Sequence, residues 1–86
     1  MKISIELSLY PLHPEYKSVI KGFIQRLKDY ESVDTVVDGM STKVFGEYDR
    51  VMTILNAEMK RVFDGPDKVV IIMKCFNGDQ SNPVKL

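Results

Sequence analysis

Residues 3–10 read Ile-Ser-Ile-Glu-Leu-Ser-Leu-Tyr. Ile3, Ile5, Leu7 and Leu9 alternate with Ser4, Glu6, Ser8 and Tyr10. Successive side chains on a strand point to opposite faces, so this period of two describes a strand with one apolar and one polar face. Pro11 ends it, because proline has no N–H to donate to a ladder. The apolar half must meet a layer of other apolar residues. The polar half must face water, a ligand or a second chain.

Working outward from that strand, Pro14 suits a helix start. Tyr16, Val19, Ile20, Phe23, Ile24, Leu27 and Tyr30 recur at spacings of three and four, the apolar stripe of an amphipathic helix of about four turns. Val33 to Asp38 are rich in β-branched residues. A turn near Gly39 to Ser41 and a second short run, Lys43 to Gly46, complete a hairpin. A second helical pattern begins at Glu47, with Glu47 and Asp49 in a first turn where negative charge complements the helix dipole. Its apolar face is Val51, Met52, Ile54, Leu55, Met59, Val62 and Phe63, and Asp64-Gly65-Pro66-Asp67 breaks it.

Lys68 to Phe76 form the last strand. Val69, Ile71, Met73 and Cys75 lie on one face; Val70, Ile72, Lys74 and Phe76 lie on the other. Both faces are largely apolar, which predicts a central strand covered on both sides. Cys75 is then a small core residue. The element order is β-α-β-β-α-β. Two split right-handed βαβ units give an α+β ferredoxin-like plait, a four-stranded antiparallel sheet with both helices on one face. Residues 1–78 form this single domain, and 79–86 read as a mobile C-terminal tail.

Composition agrees with one small globular domain. The 86 residues carry twelve Lys and Arg against twelve Asp and Glu, with 44% hydrophobic and 28% charged residues. The longest apolar run, Val69 to Met73, is far too short to span a bilayer. The N-terminus lacks the apolar stretch of a signal peptide. A lone thiol without an export signal points to the cytoplasm, and zero net charge disfavours nucleic acid. A domain of this length buries only roughly 60–65% of the surface its unfolded chain exposes. A small-molecule site is therefore easier to build between copies than inside one.

Many functions use this plait, so absent motifs are informative. The third strand, TKVFGEY, lacks the basic-Gly-aromatic pattern of RNA-recognition versions. Copper carriers need paired cysteines, and Cys75 is alone. His13, the one histidine, lies between prolines and has no partner cluster for a metal or for general-base work. No phosphate loop, nucleophile triad or paired-carboxylate motif supports a hydrolase or kinase. The sheet face away from the helices carries Ser4, Glu6, Ser8 and Tyr10 beside Val70, Ile72, Lys74 and Phe76. An apolar stripe on an open sheet calls for a cover. A homodimer or homotetramer through Val70, Ile72, Lys74 and Phe76 is expected, with the polar stripe lining a ligand site.

Three segments resemble one family. They are Ser8-Leu9-Tyr10-Pro11-Leu12 at the end of the first strand, Gly39 to Met52 with its Ser41-Thr42 pair and Gly46, and Phe76 to Asp79 after the last strand. Together they are similar to the YkoF-like thiamine/hydroxymethylpyrimidine-binding family. The resemblance implies a non-catalytic binder of thiamine or its pyrimidine moiety, with plaits paired through their sheets. This chain holds one repeat, so two chains would supply what two tandem repeats supply in other members.

The candidate ligand-binding residues are Glu6, Ser8, Tyr10, Ser41, Thr42, Gly46 and Glu47. An aminopyrimidine offers two ring-nitrogen acceptors, an amino donor and a flat π-face. Ser41, Thr42 and Ser8 supply hydroxyls, and Glu6 supplies a carboxylate. Tyr10, Phe45 or Tyr48 can stack, and an aromatic face or carboxylate suits a thiazolium cation. Each residue also has a plainer role. Ser41 and Thr42 shape a turn, Gly46 is a turn glycine, Glu47 answers the helix dipole, Tyr10 packs, and Glu6 pairs with Lys74. A protein-interaction module using the open sheet is the alternative function. An enzyme with a pocket between subunits, such as a cofactor-free oxygenase or isomerase, is a third reading and lacks a visible acid/base pair.

Overall fold

The alternation of the first strand sorts the molecule into its two sides. In the computed structural model residues 1–82 are described. They form β1 (Lys2–Pro11), α1 (Tyr16–Lys28), β2 (Asp34–Val37), β3 (Thr42–Glu47), α2 (Tyr48–Phe63) and β4 (Val69–Phe76). The strands make one sheet in the order β2-β3-β1-β4, and every pairing is antiparallel. This is the α+β ferredoxin-like plait. Ile3, Ile5 and Leu7 of β1 join Phe23 and Leu27 of α1 and Val51, Ile54 and Leu55 of α2 in the core. Each fully buried aliphatic side chain of this kind contributes roughly 1.5–3 kcal/mol.

The helices differ slightly from the sequence expectation. α1 begins at Tyr16 rather than at Pro14. The Glu15 N–H, one of the donors left over at its start, is taken by His13 Nδ1 at 2.9 Å. Glu47 is the last residue of β3 and the residue capping α2, not part of its first turn.

β4 is an edge strand, paired with β1 alone, which corrects the expectation of a central strand covered on both sides. Its helix side is only partly covered: Val69 and Met73 pack against the margin of the core, and Ile71 is half-buried. On its open face Val70, Ile72 and Phe76 are exposed among the described residues. Cys75 is exposed as well, not a core residue. It pairs with Ile5 and so points to the helix side, but at a margin of the sheet that the helices leave bare. Within the expected tail, residues 79–82 are described, and residues 83–86 lie outside the described residues.

A buried carboxylate ties the two helices together. Glu58 on α2 is 2% exposed. It accepts hydrogen bonds from Arg26 Nε at 2.7 Å and from the Tyr30 hydroxyl at 2.8 Å, and Arg61 Nε lies 3.3 Å away. Burial opposes its ionisation, but the bonds from Tyr30 and Arg26 and the charges of Arg61 and Arg26 outweigh it. The carboxyl is held below its ordinary value. The same bond raises the Tyr30 hydroxyl above its own.

Glu58→Ala removes an acceptor from three donors. Arg26 and Arg61 keep part of their water, so the expected loss is about 2–3 kcal/mol, below that for a wholly buried pair. Because the folded pKa is lowered, this contribution is present above the ordinary carboxylate value and is lost as pH falls through the folded one. Urea midpoints of wild type and Glu58→Gln should differ fully at neutral pH and converge as pH falls from the ordinary carboxylate value through the lowered folded one.

Candidate functional site

Register places the open face in rows. Ser4 lies between Phe45 and Phe76, and Glu6 lies between Lys43 and Lys74. Farther along β1, Ser8 and Tyr10 face only β4, opposite Ile72 and Val70. β3 ends its pairing at Leu7, so β1 runs on past the hairpin tip. The tip is held by Asp38, whose Oδ1 accepts the Met40 and Ser41 N–H groups at 2.8 and 3.1 Å.

These features build one chain of polar contacts across the sheet. Lys43 Nζ donates to Asp38 Oδ2 at 2.8 Å and to Ser41 Oγ at 3.2 Å. Ser41 Oγ donates to Glu6 Oε2 at 3.0 Å. Lys74 Nζ reaches Glu6 Oε1 at 3.0 Å. The bond from Lys74, then that from Ser41, holds the Glu6 carboxyl below the ordinary carboxylate value. The Lys43 bond and the two backbone N–H groups bring Asp38 down to about 2.

Two clefts meet at this chain. The larger, of 430 Å³, is lined by Glu6, Lys43, Lys74, Phe45, Phe76 and Gln80, among others. The smaller, of 180 Å³, opens between the hairpin tip, the end of β1 and α1. Ser8, Tyr10, Ser41 and Thr42 line it. The Ser41–Glu6 bond joins the two.

The structure thus gathers five of the seven candidate ligand residues around the hairpin end, though not on one face. Thr42 pairs with Leu7 and is buried on the helix side, whereas Ser41 bonds Glu6 of the open face. Gly46 and Glu47 lie elsewhere. A Cβ on Gly46 would meet Val51 Cγ2 at 3.2 Å and Val33 Cγ1 at 3.3 Å, so this glycine fits the core beneath α2. Glu47 binds the Met1 ammonium at 3.2 Å and Lys2 Nζ at 3.4 Å. It lies four residues along β3 from Lys43, roughly 13 Å away. Val70, Ile72, Lys74 and Phe76 stand together on the open face.

Lys43, Asp38 and Gln80 were not singled out from sequence. Lys43 was legible, since it shares the open-face parity of Phe45 in β3. Among the described residues, no group of three or more His, Cys, Asp and Glu side chains is placed to hold a metal. Among the described residues, no helix is long and apolar enough to cross a membrane.

The model of the YkoF-related family matches residues 2–77. The chain belongs to the YkoF-related family. No curated protein matches it. Among solved structures, a Streptococcus pneumoniae protein is 30% identical, with 93% of this chain and 90% of that one covered and a TM-score of 0.77. A hypothetical protein of Methanocaldococcus jannaschii shares the fold at 22% identity and a TM-score of 0.75, with 94% and 84% covered. So does a candidate thiamine biosynthesis/salvage protein of Thermotoga maritima, at 16% identity and a TM-score of 0.67, with 85% and 82% covered. In this YkoF-related chain the three resembling segments fall at the end of β1, across the hairpin into α2, and just after β4.

Two outcomes follow for the site. Gly46→Ala forces a methyl group against two core valines and should lower stability by about 1 kcal/mol in thermal or urea unfolding. In a carboxyl-carbon NMR titration, Asp38 should titrate near 2 and Glu6 below its ordinary value; Lys74→Ala should move Glu6 back up and leave Asp38 in place.

Proposed function

We propose that this YkoF-related chain is a non-catalytic, cytoplasmic binding protein for thiamine or its hydroxymethylpyrimidine moiety. The ligand is held on the open sheet face at Glu6. The observation that carries this reading is the Glu6 carboxylate, bonded by Ser41 and Lys74 in a cleft flanked by Phe45 and Phe76. An aminopyrimidine donates its amino group to Glu6 and accepts at a ring nitrogen from the hydroxyl or ammonium beside it. The half-exposed ring of Phe76 offers a stacking surface. A thiazolium cation suits the same carboxylate. It would replace Lys74, whose side chain is 77% exposed and released to water at little cost.

The lowered pKa of Glu6 supports binding over catalysis. A carboxylate favoured in its charged form by Lys74 and Ser41 is a weaker proton acceptor than a free one. Membership of the YkoF-related family and the description of the Thermotoga protein, which shares the fold, favour the thiamine class. The exposed Val70, Ile72 and Phe76 favour a homodimer or homotetramer closed through this face, since a contiguous apolar patch is rarely left bare.

Calorimetric titration with thiamine and with hydroxymethylpyrimidine tests the ligand. Binding by wild type and a loss of roughly tenfold or more in Glu6→Ala are expected, as for a charge-assisted hydrogen bond. Silence from both ligands at millimolar concentration sinks the ligand claim. Light scattering tests the assembly: wild type should be dimeric or tetrameric, and Ile72→Asp should dissociate it. A stoichiometric protein partner at the open face, with no small-molecule response, would favour an interaction module instead.

A further inference from the structure

We propose that the outer edge of β4 is an interface. It pairs antiparallel with the β4 edge of a second copy, so that two four-stranded sheets continue into one another. This contact is separate from closure through the open face, and it holds whatever ligand the cleft takes.

Hydrogen-bond parity decides what that edge offers. In an antiparallel ladder a residue either exchanges both backbone groups with its partner or turns both away from it. The Leu12 N–H donates to the Lys68 carbonyl at 2.8 Å. The register steps from there by two, through Tyr10–Val70, Ser8–Ile72, Glu6–Lys74 and Ser4–Phe76, so these are the bonded pairs. Val69, Ile71, Met73 and Cys75 therefore turn their N–H and C=O groups outward. β4 pairs with β1 alone, and among the described residues no strand lies on that outer side. The chain after β4 does not return along this edge. It turns inward over the open face, where the Ser4 hydroxyl donates to the Gly78 carbonyl at 2.7 Å and accepts the Gln80 N–H at 2.8 Å.

β4 has eight residues without proline or glycine, and Lys74 is its one charged residue. Such an edge recruits another strand unless something blocks it. The occupant that fits is β4 itself. A twofold axis beside Ile72 sets Val69 against the partner's Cys75 and Ile71 against the partner's Met73. Every outward residue of the strand then exchanges both its backbone groups. Lys74 faces the partner's Val70, so no like charges meet. On the helix side, Val69, Ile71 and Met73 are only half-buried and Cys75 is exposed; the same residues of the second copy cover them. On the open face the two Ile72 side chains meet, and the partner's Val70 lies beside Lys74, which lines the larger cleft. The second copy thus extends the outer rim of that cleft. β4 becomes the interior strand that its two apolar faces describe.

Amide hydrogen exchange reads the edge directly. In wild type the amides of Ile71, Met73 and Cys75 should exchange on the order of a hundredfold more slowly than those of an open edge. Val70, Ile72 and Lys74 are the internal standard, since β1 protects their amides in any case. Val69→Cys tests the register. Positions 69 and 75 of one strand are roughly 20 Å apart, too far for a disulfide within the chain. Across the seam their Cα atoms lie about 5.5 Å apart, within disulfide reach. Mild oxidation should turn Val69→Cys into a covalent dimer, and should not do so for wild type or for Val69→Cys combined with Cys75→Ser. Outward amides that exchange as fast as an open edge overturn the inference; a dimer closed only through the open face gives that result. A Val69→Cys protein that forms no more covalent dimer than wild type overturns it as well.

Discussion

The pleat of β1 is the constraint on which both sides of the molecule depend. β1 is bonded on both edges, to β3 and to β4. Its side chains have no latitude in which face they choose. Ile3, Ile5 and Leu7 enter the core, and Ser4, Glu6 and Ser8 enter the opposite face. A slip of one residue would bury Glu6 under the helices and expose three aliphatic side chains. Burial on the helix side fixes the register, and the register delivers a carboxylate to the middle of a sheet with a lysine on either side. The site is thus a by-product of the core, positioned by residues whose side chains enter the opposite layer.

The polar chain across the open face has a second cause in the hairpin. Asp38 organises the tip through two backbone N–H groups, and the tip in turn presents the Ser41 hydroxyl to Glu6. A short loop held by its own side chain is a firmer mount than a free serine on a strand end. The charges alternate along this chain: Asp38, Lys43, Glu6, Lys74. Each is held by a neighbour of opposite sign, so the site carries strong local dipoles and little net charge. That arrangement suits a small polar ring, which needs directed bonds more than a field.

The fold was legible because its signals are periodic. The alternation of β1, the three-four stripes of both helices and the turn residues near Gly39 and Gly65 all agree. β4 was misplaced for a physical reason. Apolar residues on both faces describe a strand that wants cover on both faces, and sequence does not say that the cover lies within the chain. Cys75 followed the same error. Around the site, Glu6, Ser8 and Ser41 could be read from parity and residue type. Thr42 and Gly46 could not be separated from them, because adjacent residues in a strand differ only in which way they point. Glu58 was invisible. On a helical wheel it is one more charged residue, and only the approach of α1 makes it a buried carboxylate with three donors. The path of residues 78–80 was equally hidden, since no local pattern foretells a partner some seventy positions away.

The edge position of β4 has a further consequence. An edge strand with eight residues and a run of five apolar ones is a template for unwanted stacking of chain upon chain. Within β4, Lys74 is the one charged residue. In an in-register stack each Lys74 would sit directly over another, and the repulsion would accumulate with every layer. The residue that answers Glu6 in the cleft is therefore also the guard against fibrous aggregation. One ammonium group thus closes an ion pair within the sheet and opposes the stacking of one sheet upon another.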